Sequence, residues 1–113
     1  DNASYFGRIF ARCGGLSDAV AQGIKEHGDD LELKACSCDG IEACRMALLK
    51  KSKDRLDANF IEGMACVGGC IGGAGCLTHG ERNRADVEKY SLQAQRSIED
   101  AVCGIEALTE FEA

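Results

Sequence analysis

Apolar residues recur along this chain with two different periods, and each period predicts an element. Leu16, Ala19, Val20, Gly23 and Ile24 fall at the three-and-four spacing of a helix, so a helix is expected from near Ser17 to Glu26. Ser17 or the Gly14-Gly15 pair would open it, and Gly28 lies just beyond its end. Leu31-Glu32-Leu33-Lys34-Ala35-Cys36 alternates apolar and polar residues instead, as a half-buried strand does. Cys36-Ser37-Cys38-Asp39-Gly40 then reads as a tight connection into a second helix. Ile41, Cys44, Ala47 and Leu48 share a face of that helix until the pattern fades at Ser52 to Asp54. Ala58 to Ala65 supplies another strand, and Tyr5 to Phe10 reads as a short strand or a buried approach to the Gly14-Gly15 turn.

In the last third, Val87, Tyr90, Ala94, Ile98, Ala101, Val102, Ile105 and Leu108 step by threes and fours. This predicts one continuous helix of about six turns, N-capped by Asn83 with Asp86 three residues on. Its stripe is expected to dock on the chain's own domain. Strand, helix and strand within about 35 residues make a βαβ unit, so the two strands should be parallel with a right-handed crossover. The expected fold class is α/β: a small parallel sheet with flanking helices and a long C-terminal helix, with residues 1–113 forming a single domain fragment. Cys36, Cys38, Cys66 and Cys70 would then lie at the carboxyl ends of adjacent strands, where open α/β sheets bind ligands.

Composition narrows the chemistry. A chain of 113 residues holds one domain at most. It does not begin with Met and shows no signal-peptide pattern, so it reads as a piece of a longer polypeptide. No apolar run approaches the roughly 18 to 20 residues that span a bilayer, and a soluble, cytoplasmic protein is expected. The net charge of −6, dispersed along the chain, argues against nucleic acid as a partner. Eight cysteines in a chain with long helical patterns fit metal ligation in a reducing compartment better than a secreted disulfide scaffold.

The densest chemistry lies between Cys66 and Cys76, which hold three cysteines and five glycines among eleven residues. Glycine lets a backbone take positive φ and come close to a bulky ligand, converging amides favour an anionic one, and thiolates hold soft metals or iron–sulfur clusters.

The order of residues in this stretch is specific. Glu62-Gly63-Met64-Ala65-Cys66-Val67-Gly68-Gly69-Cys70-Ile71-Gly72-Gly73 resembles the third signature motif of the iron-only ([FeFe]) hydrogenase large subunit, E-x-M-A-C-x-G-G-C-x-x-G-G-G-Q-P. Ile9-Phe10-Ala11-Arg12-Cys13-Gly14-Gly15 is similar to that family's I-F-G-x-x-G-G turn, and Gly40 to Arg45 to its G-L-x-N-A-R helix start. The resemblance implies the C-terminal part of an H-cluster domain. Cys66 would ligate the [4Fe-4S] cluster and Cys70 would bridge it to the two-iron subcluster, with Met64 bordering the latter. The parent reaction would be reversible reduction of protons to hydrogen, with ferredoxin as a candidate electron partner.

Two further family motifs, T-S-C-C-P and M-P-C-x-x-K-x-x-E, do not occur here. The missing N-terminal part of the same polypeptide would supply those ligands, and the isolated fragment is expected to be inactive. Val67 stands where the family often has proline, and Gly73-Ala74-Gly75-Cys76-Leu77 replaces G-G-G-Q-P. These departures resemble the family's divergent, sensory branch, so an iron–sulfur sensor or electron-transfer module without hydrogen turnover is the alternative function.

Other positions keep two readings. Cys36, Cys38 and Cys44 could join Cys66, Cys70 or Cys76 around a second cluster or zinc, pair as disulfides, or stay free thiols. Cys13 precedes a helix whose dipole could lower its pKa, or is a small buried residue, while Cys103 neighbours the C-terminal stripe and reads as structural. Glu62 would sit near the cluster or bond backbone amides at a strand end. His27 and His79 read as solvated. Lys50 to Arg55 is either a docking patch for an acidic carrier or a solvated helix end.

Overall fold

The computed structural model describes residues 2–112, with side chains as far as Leu108. In chain order the elements are α1 (Tyr5–Arg8), α2 (Gly15–His27), β1 (Ala35–Asp39), α3 (Ile41–Ser52), β2 (Phe60–Met64), α4 (Glu81–Ser91) and α5 (Ile98–Glu112), with a single 3₁₀ turn at Cys70–Gly72. The class is mixed α/β, as the pattern predicts. β1 and β2 run parallel, in register from Ala35 against Phe60 to Asp39 against Met64.

Two strands are too few to persist in water unsupported, and here helices cover both faces. Alternation along β1 sends Ser37 to the face where α2 begins, with its Oγ 3.2 Å from both Ser17 Oγ and Glu62 Oε2. The opposite face carries Cys36 and Cys38 and meets α3. Glycine at position 63, directly across from Cys38, makes the room there: a Cβ on Gly63 would stand 3.2 Å from Cys44 Sγ. Gly28 closes α2 at φ +77°, its N–H bonded to the carbonyls of Ile24 and Lys25, a conformation glycine takes without steric cost.

The structure corrects four expectations. Tyr5 to Phe10 is not a strand: Tyr5–Arg8 is one helical turn, capped by Ser4 Oγ accepting from Gly7 N at 3.0 Å, and Ile9 behind it is fully buried. β1 is displaced from Leu31–Cys36 to Ala35–Asp39. The Asn59 side chain explains the shift. It accepts from Lys34 N at 2.7 Å and donates to Glu32 O at 2.7 Å, occupying backbone groups that a longer ladder would need. Cys36 and Cys38 therefore sit within the strand and not in a connection.

The long C-terminal helix is two helices. Ser91, wholly buried, turns its hydroxyl back onto Val87 O at 2.7 Å, a local bond that competes with helix continuation. Ser97 then starts α5 by accepting from Asp100 N at 3.1 Å. Glu26 of α2 helps by accepting from Glu99 N at 3.1 Å, placing its charge on the positive end of the α5 dipole. Finally, α4 is capped by Gly80 and not by Asn83. Asn83 lies in the first turn and points its amide at the carbonyls of Ile71 and Thr78.

Among the described residues the buried apolar side chains are few and, Ile9 apart, small: Ile9, Ala19, Cys38, Ala47 and Ala58. The radius of gyration is 16.1 Å, whereas a compact domain of this length would have about 13 Å. Phe10, Leu31, Ile41, Leu48, Val102 and Ile105 are exposed. Between α1, α2 and α5 lies an open apolar cavity of about 380 Å³, lined by Phe6, Phe10, Leu16, Val20, Val102 and Ile105 among others.

A candidate metal-ligating loop

β2 ends at Met64, and the chain turns immediately through residues 65–76. Gly68 and Gly69, at φ +85° and +91°, supply a backbone that side-chain-bearing residues rarely adopt. The loop closes on itself through Gly69 N to Cys66 O at 3.0 Å and Gly73 N to Cys70 O at 3.1 Å.

Neighbouring elements hold it at several points. The turn after α1 lies against it, with Cys13 N donating to Gly68 O at 3.1 Å and Ile71 N to Ala11 O at 3.2 Å. Asp39, at the end of β1, accepts from Gly68 N at 2.5 Å. Gly40 N donates to Met64 O at 2.9 Å. The three segments singled out in the sequence, 9–15, 40–45 and 62–73, thus converge on one edge of the sheet.

At two of the loop's glycines the packing leaves no room for a side chain. A Cβ on Gly69 would lie 2.6 Å from Cys13 N, and one on Gly72 would lie 2.1 Å from Val67 O. The two central thiols are accessible nevertheless: Cys66 and Cys70 are both exposed and unpaired. Met64, half-buried, precedes them. Gly73 leaves space beside the first thiol, since a Cβ there would come within 3.3 Å of Cys66 Sγ. Cys76 follows the same loop, with its thiol donating to Cys70 O at 3.0 Å. His79 is exposed, as the sequence suggested, and its Nε2 also lies 3.0 Å from Gly73 O at the loop end.

Glu62, 2% exposed, bonds backbone amides. Its carboxylate accepts from Gly14 N (3.2 Å), Leu16 N (3.3 Å), Ser17 N (3.1 Å), Ser17 Oγ (2.6 Å) and Ser37 Oγ (3.2 Å). Burial alone would raise its pKa, but these donors outweigh burial and hold it below the usual carboxylate value. In this way β2 caps α2 across space, which explains how α2 begins without a side-chain N-cap of its own.

Of the two readings of Cys13, the buried residue prevails over the thiol activated by the α2 dipole. Burial, aided by the carboxylates of Asp39 and Glu62, pushes that thiol up. The amides that would have stabilised a thiolate are already engaged by Glu62.

Arg12 gave no signal in the sequence, yet it is 6% exposed and central to the turn beneath the loop. Its guanidinium meets Asp18 at 3.0 Å and Glu88 at 3.2 Å, and Glu88 also takes the Tyr5 hydroxyl. α1, α2 and α4 are joined through it.

The remaining cysteines divide. Cys36 Sγ and Cys38 Sγ are 3.8 Å apart. Cys44 Sγ faces the carbonyls of Met64 (3.6 Å) and Cys38 (3.9 Å), and Cys103 is exposed. Cys38, 4% exposed, has its pKa pushed up to about 11, first by burial and then by the adjacent Cys36. Among the described residues, no group of three or more Cys, His, Asp or Glu is arranged to hold a metal ion. The second site suggested for Cys36, Cys38 and Cys44 with Cys66, Cys70 or Cys76 is therefore not assembled. A [4Fe-4S] cube takes four thiolates, and two outward thiols on a glycine loop fit half of such a set.

The loop therefore presents two exposed thiols, a donor type that suits soft metals, beyond the carboxyl end of a parallel strand pair. The family model for the iron only hydrogenase large subunit, C-terminal domain, matches residues 1–74, and the chain belongs to that family. No curated protein matches the chain. The family implies an iron–sulfur, H-cluster-type cofactor in the parent protein. Among the described residues, no helix is long and apolar enough to cross a membrane.

Proposed function

We propose that residues 1–113 form one part of an H-cluster-type domain. Cys66 would hold the [4Fe-4S] unit, Cys70 would supply the thiolate between it and the two-iron subcluster, and Met64 would stand beside the latter. The cluster, when bound, supplies the electron storage and open iron site for reversible proton reduction to hydrogen in the parent chain. This chain's own part is to hold two thiolates outward on a loop fixed by Asp39, Asn83 and the turn at Ala11 to Cys13.

The observation that carries this reading is the exposure of Cys66 and Cys70 on a loop otherwise anchored by backbone bonds. The open apolar faces and the large radius of gyration support an N-terminal part of the same polypeptide as the body that covers them, with ferredoxin as electron carrier.

Anaerobic reconstitution with iron and sulfide tests it. The C66S and C70S variants are expected to lose iron, while C36S, C38S, C44S and C76S retain it; the opposite pattern would refute the assignment. The reconstituted chain alone should form no hydrogen from a reduced viologen dye, because it carries only half of the ligand set.

One observation favours a second reading, an iron–sulfur sensor or electron-transfer module without turnover. Cys76 stands beside Cys70 where the family motif has glutamine, which would give the loop a third soft donor.

A further inference from the structure

The sulfurs of Cys36 and Cys38 are in contact at 3.8 Å, on the same face of β1, and neither belongs to the loop of Cys66 and Cys70. The residue opposite Cys38 is Gly63, and the space its missing side chain leaves is taken by the Cys44 thiol, 3.2 Å from where a Cβ would stand. Cys44, the next thiol, faces the backbone carbonyls of Met64 (3.6 Å) and Cys38 (3.9 Å). The two partners differ in access: Cys36 is half-buried, whereas Cys38 is 4% exposed.

We propose that Cys36 and Cys38 form a reversible dithiol–disulfide couple that exchanges with small-molecule disulfides of the glutathione type. The Cys36 thiolate attacks one sulfur of the small disulfide, forming a mixed disulfide and releasing one small thiolate, which takes a proton from solvent. Cys38 then gives its proton to solvent and attacks the Cys36 sulfur, releasing the second small thiolate. That thiolate is protonated by solvent in turn, so the protein loses two protons and two electrons in all, and one small disulfide becomes two thiols. Accessibility sets this order: the outer thiol meets the reagent and the inner one resolves it.

Geometry also sets the strength of the bond. Residues two apart in a strand have Cα atoms about 6.6 Å apart, close to the upper end of roughly 6.8 Å that disulfides accept. Closing the sulfurs to about 2.05 Å therefore bends β1. Strained disulfides of this kind are the readily reduced ones, so the couple cycles and does not act as a permanent staple. It uses no iron and stands or falls independently of Cys66 and Cys70.

The test is anaerobic incubation of the whole chain with oxidised glutathione, followed by alkylation of the remaining thiols and tryptic digestion. The peptide from Ala35 to Arg45 should have lost two hydrogens and carry one alkyl group, which fragmentation places on Cys44. The same peptide from C44S should carry none. In C38S, Cys36 should accumulate as its glutathione adduct, and reduced glutathione should reverse every change. Two outcomes would overturn the proposal: Cys36 and Cys38 both alkylated while Cys66 and Cys70 are oxidised, or a Cys36 adduct in the unaltered chain that never resolves onto Cys38.

Discussion

Replacing Glu62 with glutamine removes one charge from the most heavily bonded buried side chain in the structure. Three backbone amides and two hydroxyls converge on the carboxylate. The glutamine amide nitrogen can take only the Oε2 position without facing two N–H donors, because the serine hydroxyls there can turn and accept. Ser17 N is then left without its acceptor, and the remaining bonds drop from charge-assisted to neutral strength. One orphaned buried donor and several weakened bonds together predict a loss of about 2 to 4 kcal/mol. Urea unfolding at pH 7, followed by circular dichroism, measures it.

The pH dependence is a second, independent readout. The folded-state pKa of Glu62 lies below its unfolded value, so its contribution is fully present above the unfolded pKa and is lost as pH falls through the folded one. The gap between the unaltered chain and Glu62→Gln should therefore narrow on acidification below the ordinary carboxylate range. A gap at pH 7 under about 0.5 kcal/mol, or one that widens on acidification, would refute the cap assigned to Glu62.

Two other perturbations follow from the packing. Gly72→Ala must displace Val67 O, 2.1 Å from the new Cβ, and should destabilise the chain and lower the iron retained after reconstitution. Gly23→Ala, with nothing within 4 Å in the middle of α2, should stabilise it by about 1 kcal/mol, measured by urea unfolding. Arg12→Met takes the cation from Asp18 and Glu88, leaving Glu88 only its bond from the Tyr5 hydroxyl; because both carboxylates are partly exposed, a loss of about 1 to 3 kcal/mol is expected, with calorimetry as the check.

Much of this was legible in the residues. Period alone located α2, α3 and β2, and the order of glycines and cysteines located the loop, because local constraints dominate in those segments. Where tertiary partners decide, the sequence misled. Asn59 shortens the ladder and so moves β1 toward the cysteines. Ser91 and Ser97 divide an apolar stripe that continues unbroken through the gap between α4 and α5, although Ser97 with Asp100 three residues on is an N-terminal signature in its own right. Arg12 and Asp39 could not have been singled out, since their roles depend on what lies across from them. Of the two readings of Cys13, burial holds and the dipole does not act, because a carboxylate from another strand occupies the same amides.

Thiolate displacement examines the ligand assignment most directly. A synthetic four-iron, four-sulfide cluster bearing four aromatic thiolates is mixed anaerobically with the chain, and the thiolate released is counted by absorbance. With Cys76 and Cys103 replaced by serine throughout so that only the two assigned thiols can exchange, the chain should release two thiolates per cluster bound if Cys66 and Cys70 present their sulfurs to one cluster, C66S and C70S one each, and the double variant none. Equal release from that chain and the double variant would contradict the account.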